Sequence, residues 1–141
     1  MSKDVRAFEI VRAGVEDIDI VVPLFDAYLQ FYKLPSNEEA ARRSLHARLL
    51  KGEAVIFLAV EESGAKKHTR KALGFTLLYP TWSSLSMKPW WNLNDLYVVP
   101  EARQRGVARA LMERARRLAE ETGASGLGLE TAKDNFPAQK L

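Results

Sequence analysis

The chain has no cysteine. Disulfides, thiolate nucleophiles and zinc–thiolate sites are thereby excluded. Histidine is scarce as well. His46 and His68 stand far apart, without partners at metal-ligand spacing, so no metal is expected. Long apolar runs are missing: nothing approaches the ~20 apolar residues of a membrane span. The opening residues Met1 to Ile10 hold no apolar stretch of signal-peptide type. The expected setting is therefore the cytoplasm, with no membrane partner. Excess charge is also small, since 21 Lys and Arg against 18 Asp and Glu leave a net charge of +3. That permits an anionic ligand. It does not argue for nucleic acid, because no aromatic stacking groups or reading motif accompany the basic residues.

What is present is an ordinary globular balance. The 141 residues are 47% hydrophobic and 28% charged, which suits one domain spanning 1–141 with one buried core. Hydrophobic spacing predicts a first strand over Arg6 to Val11 and a helical stretch from Gly14 to about Tyr32. Pro23 lies inside that stretch and either kinks it or begins a second segment. Ser36 precedes Glu39 by three residues, the spacing of a capping box, and predicts a helix to about Leu50. Strands are predicted over Ala54 to Val60, Ala72 to Tyr79 and Trp90 to Val99. A polar hairpin loop is expected from Glu62 to Lys71, and a Ser-rich loop containing Trp82 from Pro80 to Pro89. An amphipathic helix from Gly106 to Thr122 stops at Gly123. A last strand covers Gly126 to Thr131, and Asn135 opens a helix. This order predicts an α/β domain around a mixed sheet. Trp90 and Trp91 are adjacent, so one should face inward and the other outward, where it is available to a dimer interface.

The segment from Leu93 to Arg117 carries the chemistry. A strand runs into a tight turn, Arg103-Gln104-Arg105-Gly106-Val107-Ala108, and then into the long helix. Free N–H groups and the macrodipole make a helix start attractive to anions. Gly106 lets a ligand approach the backbone, and Arg103, Arg105 and Arg109 add positive charge. Together they suit a diphosphate. Arg114, Arg116 and Arg117 read as a solvated basic face.

The pattern Arg103-x-x-Gly106-x-Ala108, following Leu96-Tyr97-Val98-Val99-Pro100-Glu101, resembles the acetyl-CoA motif of the GNAT superfamily of N-acetyltransferases. Leu127 to Thr131 followed by Asn135-Phe136-Pro137-Ala138-Gln139 resembles that superfamily's next strand and Asn-x-x-Ala element. The resemblance covers nearly the whole chain. Phe25 to Tyr32, Tyr79 to Trp82 and Asn94 to Val98 are similar to the branch of spermidine/spermine and fungal histone- and D-amino-acid-acetylating enzymes.

The resemblance implies a mixed, mostly antiparallel sheet with helices on both faces. It implies acetyl-CoA as cofactor and a primary amine, most simply of a small molecule, as acceptor. A protein lysine or N-terminal amine, or acetyl-CoA binding without catalysis, stand as alternatives. By family habit a homodimer is expected. Leu96, Tyr97 and Val98 would meet the pantetheine arm, the backbone from Arg103 to Ala108 and the Arg109 side chain the pyrophosphate, and Asn135 and Ala138 the far side of the cofactor. The Val98 N–H would meet the thioester oxygen. The pair Asn94-Asp95 replaces a Glu-Asp pair of polyamine-acetylating relatives, which leaves the base role to Asp95 or to water; Asp95 bonding only to backbone is the plain alternative. Asp26, Tyr28, Tyr32, Tyr79 and Trp82 would line an acceptor pocket, although Tyr28 and Tyr32, four apart, equally suit a helix core. Relatives continue with a general-acid Tyr and two strands where this sequence ends at Lys140-Leu141. The resemblance therefore predicts C-terminal strands beyond this chain.

Overall fold

A computed structural model describes residues 8–62 and 70–129. Strand β1 (Glu9–Arg12) is followed by a 3-10 turn (Val15–Asp17) and helix α1 (Ile18–Phe31). Helix α2 (Glu38–Leu50) leads to strands β2 (Val55–Glu62), β3 (Arg70–Ser83) and β4 (Lys88–Val98). Helix α3 (Val107–Glu121) then crosses to β5 (Gly126–Leu129). The described strands form one sheet in the order β1-β2-β3-β4-β5. β1 to β4 pair antiparallel, and β5 lies parallel to β4 after the α3 crossover. The expected mixed sheet is thus observed. The expected final helix, with Asn135 and Ala138, lies outside the described residues.

Alternation on β2 gives the molecule two apolar layers. Val55, Phe57 and Ala59 pack with Leu111, Ala115 and Leu118 of α3. Ile56, Leu58 and Val60 face the other way, onto Val21 and Leu24 of α1 and Leu45 of α2. This follows from the period of two along a strand, and it puts helices on both faces.

Two irregularities interrupt that period. Between β2 and β3, Ala59 pairs with Gly74 while Val60 pairs with Ala72, which leaves Leu73 as an extra residue. Between β3 and β4, Leu77 pairs with Asp95 while Leu78 pairs with Leu93, which leaves Asn94 extra. A bulge of this kind turns the following side chain to the opposite face. Leu93 accordingly packs on the α3 side, whereas Tyr97, four residues on, packs on the α1 side.

Of the two readings of Pro23, a new segment is excluded, since α1 continues through it to Phe31. Two local expectations are corrected. The cap of α2 is Asn37, whose side chain accepts from the Ala40 amide at 3.1 Å. Ser36 instead donates its hydroxyl to Asp26. The Ser-rich stretch is mostly strand: β3 and β4 continue pairing through Pro80–Trp91, Thr81–Trp90 and Trp82–Pro89, and only residues 84–87 turn. Trp91 is buried, with its indole N–H donating to the Thr122 hydroxyl at 2.9 Å. Trp90 lies on the other face against Gly126 and Gly128 of β5.

Candidate active site

The turn before α3 has an unusual backbone. Gln104 (φ 66°) and Gly106 (φ 84°) both occupy the left-handed region. Residues in that region curl the backbone so that successive N–H groups can face one concavity, a geometry that receives anions. The Ala110 amide donates to the Gly106 carbonyl at 3.0 Å. The amides of Val107, Ala108 and Arg109 precede it and have no earlier turn to bond. No side chain caps the helix, and its first turn carries no acid. By contrast α1 and α2 begin with Asp19 and with Glu38 and Glu39. A Cβ placed on Gly106 would meet no atom within 4 Å, so the space beside its Cα is open. Exposed Arg109 in that first turn adds cationic charge where the helix dipole opposes it. An anion in the concavity would reverse that penalty.

The other two arginines of the turn are engaged. Arg105 pairs with Glu61 of β2 at 3.1 Å. The Arg103 side chain folds back, donating Nε–H to the Val98 carbonyl at 2.9 Å. Its guanidinium lies 5.4 Å from the Phe31 ring centre and 5.7 Å from that of Tyr97. Phe31 therefore joins the end of α1 to the turn, a contact that the sequence reading did not anticipate. Of the three arginines, only Arg109 lacks an ion pair or hydrogen bond among the described residues.

The end of β4 supplies backbone groups. The Val99 amide donates to Leu73 at 2.9 Å, so antiparallel alternation turns the Val98 amide and carbonyl away from β3, toward the β5 side. The same alternation turns Leu96 that way. Pairing of β4 with β5 among the described residues runs only from Trp90 to Leu93.

Asp95 sits just after the Asn94 bulge. Its Oδ1 accepts the Tyr28 hydroxyl at 2.6 Å, and its Oδ2 accepts from the Asn94 side chain at 3.2 Å. Thr76, fully buried, donates its hydroxyl to the Asp95 carbonyl at 2.9 Å and pins the bulge. Thr76 escaped the sequence reading, although a lone hydroxyl inside Leu73-Gly74-Phe75-Thr76-Leu77-Leu78 was the available signal. Tyr28 is half-buried, its ring within 5.2–5.9 Å of Phe25, Tyr32, Phe75 and Tyr97. Burial and then the Asp95 carboxylate push the Tyr28 phenol well above its usual range. Tyr79, half-buried on β3, is raised by burial and by Asp95, against a smaller opposing effect of Arg48.

The remaining expected acceptor residues separate. Trp82 is 60% exposed near the hairpin tip. Asp26 does not face an acceptor pocket. It is only 2% exposed, and its oxygens accept from Ser36 Oγ (2.6 Å), the Asn37 amide (2.8 Å) and Gln30 Nε2 (2.9 Å). Those bonds hold its carboxyl below its ordinary value, the Ser36 hydroxyl most of all. Among the described residues no cluster of His, Asp and Glu could hold a metal ion. No helix among them is long and apolar enough to cross a membrane.

A β-strand thus enters an uncapped turn with left-handed residues and then a long helix, beside a bulged carboxylate. The chain belongs to the Acetyltransferase (GNAT) family, whose sequence profile matches residues 21–141. It is 42% identical over 132 residues to the uncharacterized N-acetyltransferase YhfO of Bacillus subtilis, covering 94% of this chain and 84% of that one. A probable acetyltransferase of Haemophilus influenzae is 30% identical over 128 residues, covering 91% and 84%. A crystal structure of a probable acetyltransferase superposes with a TM-score of 0.82 at 42% identity, covering 94% and 84%. Acetyl-CoA is the acyl donor of this family, and the chain is an N-acetyltransferase.

Proposed function

We propose that this chain transfers the acetyl group of acetyl-CoA to the primary amine of a small molecule. The observation that carries the reading is the entrance to α3: left-handed Gln104 and Gly106, open space beside Gly106, and no acid or side-chain cap in the first turn. These residues fit a pyrophosphate. The backbone from Arg103 to Ala108 and the Arg109 side chain would hold it, while Arg103 and Arg105 fix the turn through Val98 and Glu61. Leu96, Tyr97 and Val98 would align the pantetheine arm, and Asn135 and Ala138 would line its far side. When bound, acetyl-CoA supplies a thioester acyl group and a thiolate leaving group.

The chain's own residues would do the rest. The Val98 N–H, turned toward the β5 side, would donate to the carbonyl oxygen as it gains charge. Asp95 Oδ2 would accept a proton from the acceptor nitrogen, which must be neutral to attack although its ordinary pKa is ~10.4. Tyr28, Tyr32, Tyr79 and Trp82 would frame the acceptor. A carboxylate among aromatic rings suits an ammonium ligand. The branch that Phe25 to Tyr32 and Asn94 to Val98 resemble holds spermidine/spermine, histone- and D-amino-acid-acetylating enzymes, so a protein lysine stands as the alternative acceptor. A homodimer is supported by the exposed Leu85 and Met87 at the hairpin tip, and a cytoplasmic setting by the use of acetyl-CoA.

The test is release of free thiol from acetyl-CoA with a diamine, an aminosugar, a D-amino acid and a lysine-containing peptide. The account expects turnover with at least one small amine. Turnover with the peptide alone would make the chain a protein acetyltransferase. Binding of acetyl-CoA with no turnover would make it a binding module.

A further inference from the structure

Tyr28 lies on α1 and Asp95 on β4, 67 residues apart, yet their side chains meet at 2.6 Å. The contact has the features of a positioned pair. The tyrosine ring is wedged by four other aromatic rings, so its hydroxyl has little freedom to turn away. The Asn94 bulge turns the Asp95 side chain to that face, and the buried Thr76 hydroxyl holds its backbone. Three elements thus converge on one aspartate.

We propose that Tyr28 is a positioning residue for acyl transfer: its hydroxyl on Oδ1 and the Asn94 side-chain amide on Oδ2 fix the Asp95 carboxylate, whose Oδ2 receives the acceptor's proton. The inference rests on the reading of Asp95 as base. A phenol that donates to a carboxylate favours the ionised form, because the bond is charge-assisted only while the carboxyl is deprotonated. The phenol keeps its own proton throughout. When the nitrogen bonds to the acyl carbon, the carbon–sulfur bond would break and coenzyme A would leave as the thiolate; the proton shed by the nitrogen goes to Oδ2 and the Tyr28 O–H bond stays intact. The pair therefore sets both the direction and the basicity of the acceptor of that proton. The other charged or titratable groups around the pair are Tyr32 on α1, Tyr97 on β4, Tyr79 on β3 and, through Tyr79, Arg48 on α2. Arg48 is paired with Glu53 at 2.7 Å.

Tyr28→Phe removes the hydroxyl and keeps the ring packing. Carboxyl carbon NMR of the full chain would follow the Asp95 titration in both proteins. The expected result is a midpoint raised by roughly one pH unit in Tyr28→Phe. Acetyl transfer to 2,2,2-trifluoroethylamine should fall about tenfold in kcat, with KM for acetyl-CoA unchanged. An unmoved midpoint overturns the role given to Tyr28, whatever the rate. Asp95→Asn separates the two claims. If it transfers acetyl as fast as the parent, the base reading fails and the proposal with it. If it is slow while Tyr28→Phe leaves midpoint and rate unchanged, only the role of Tyr28 fails.

Discussion

Asp26 and Asp95 show how much a single carboxylate's role depends on the face it occupies. Positions 26 and 28 of α1 differ by two residues, about 200° around a helix. Tyr28 therefore faces the sheet and Asp95 while Asp26 faces the start of α2. There it accepts three hydrogen bonds and ties the two helices together. Its pKa is lower folded than unfolded, so its contribution to stability is complete above the ordinary carboxylate value and is lost as pH falls through the depressed one. Asp26→Asn should cost about 1–3 kcal/mol at neutral pH. Urea unfolding of parent and variant at pH 7 and again near pH 3 would check this. The gap should narrow at the acid end, and a gap independent of pH would contradict the assignment. The sequence could not reveal this role. An acidic residue beside tyrosines looks the same whether its partner is a ligand or a helix start eleven residues away.

At the scale of elements, the long helices and the apolar strands were legible because their periods are strong. The α3 boundaries were legible as well, since Gly106 and Gly123 bracket it, both with positive φ. The hairpin beyond Tyr79 was not. Pro80 and Pro89 cannot donate to a ladder and so marked a loop, but cross-strand pairs such as Thr81–Trp90 extend the sheet past them. The two bulges were equally hidden, because an extra residue is defined only against its partner strand. One element junction offers a sharp test. Gly74 of β3 lies where the end of β4 meets the start of α3. A Cβ there would come within 2.7 Å of the Tyr97 carbonyl oxygen, 3.2 Å of a Val98 methyl and 3.3 Å of a Val107 methyl. Backbone cannot yield as a side chain does. Gly74→Ala should push β4 outward, destabilise the fold by about 1–3 kcal/mol and weaken acetyl-CoA binding along with it. Unchanged melting temperature and affinity would show that this junction does not set the site.

Over the whole molecule, the sheet with helices on both faces delivers two halves of one site to the same end of β4. Packing on the α3 face fixes the turn that is open to an anion. Packing on the α1 face fixes the carboxylate and its tyrosine. Arg103, between Val98 and Phe31, joins the halves. The cofactor turn was readable in the sequence because its glycine and its spacing are local. The acceptor side was readable only in part, because Asp95 acquires its neighbours through long-range pairing. The central claim is that the amides before α3 hold the pyrophosphate of acetyl-CoA. Titration calorimetry with acetyl-CoA on the parent chain and on Gly106→Glu tests it most directly, with circular dichroism confirming that both are folded. The account predicts saturable binding by the parent and loss of at least a hundredfold in affinity, ~2.7 kcal/mol, in the variant, whose carboxylate would stand in the anion's place. Equal affinity in the two folded proteins would contradict it.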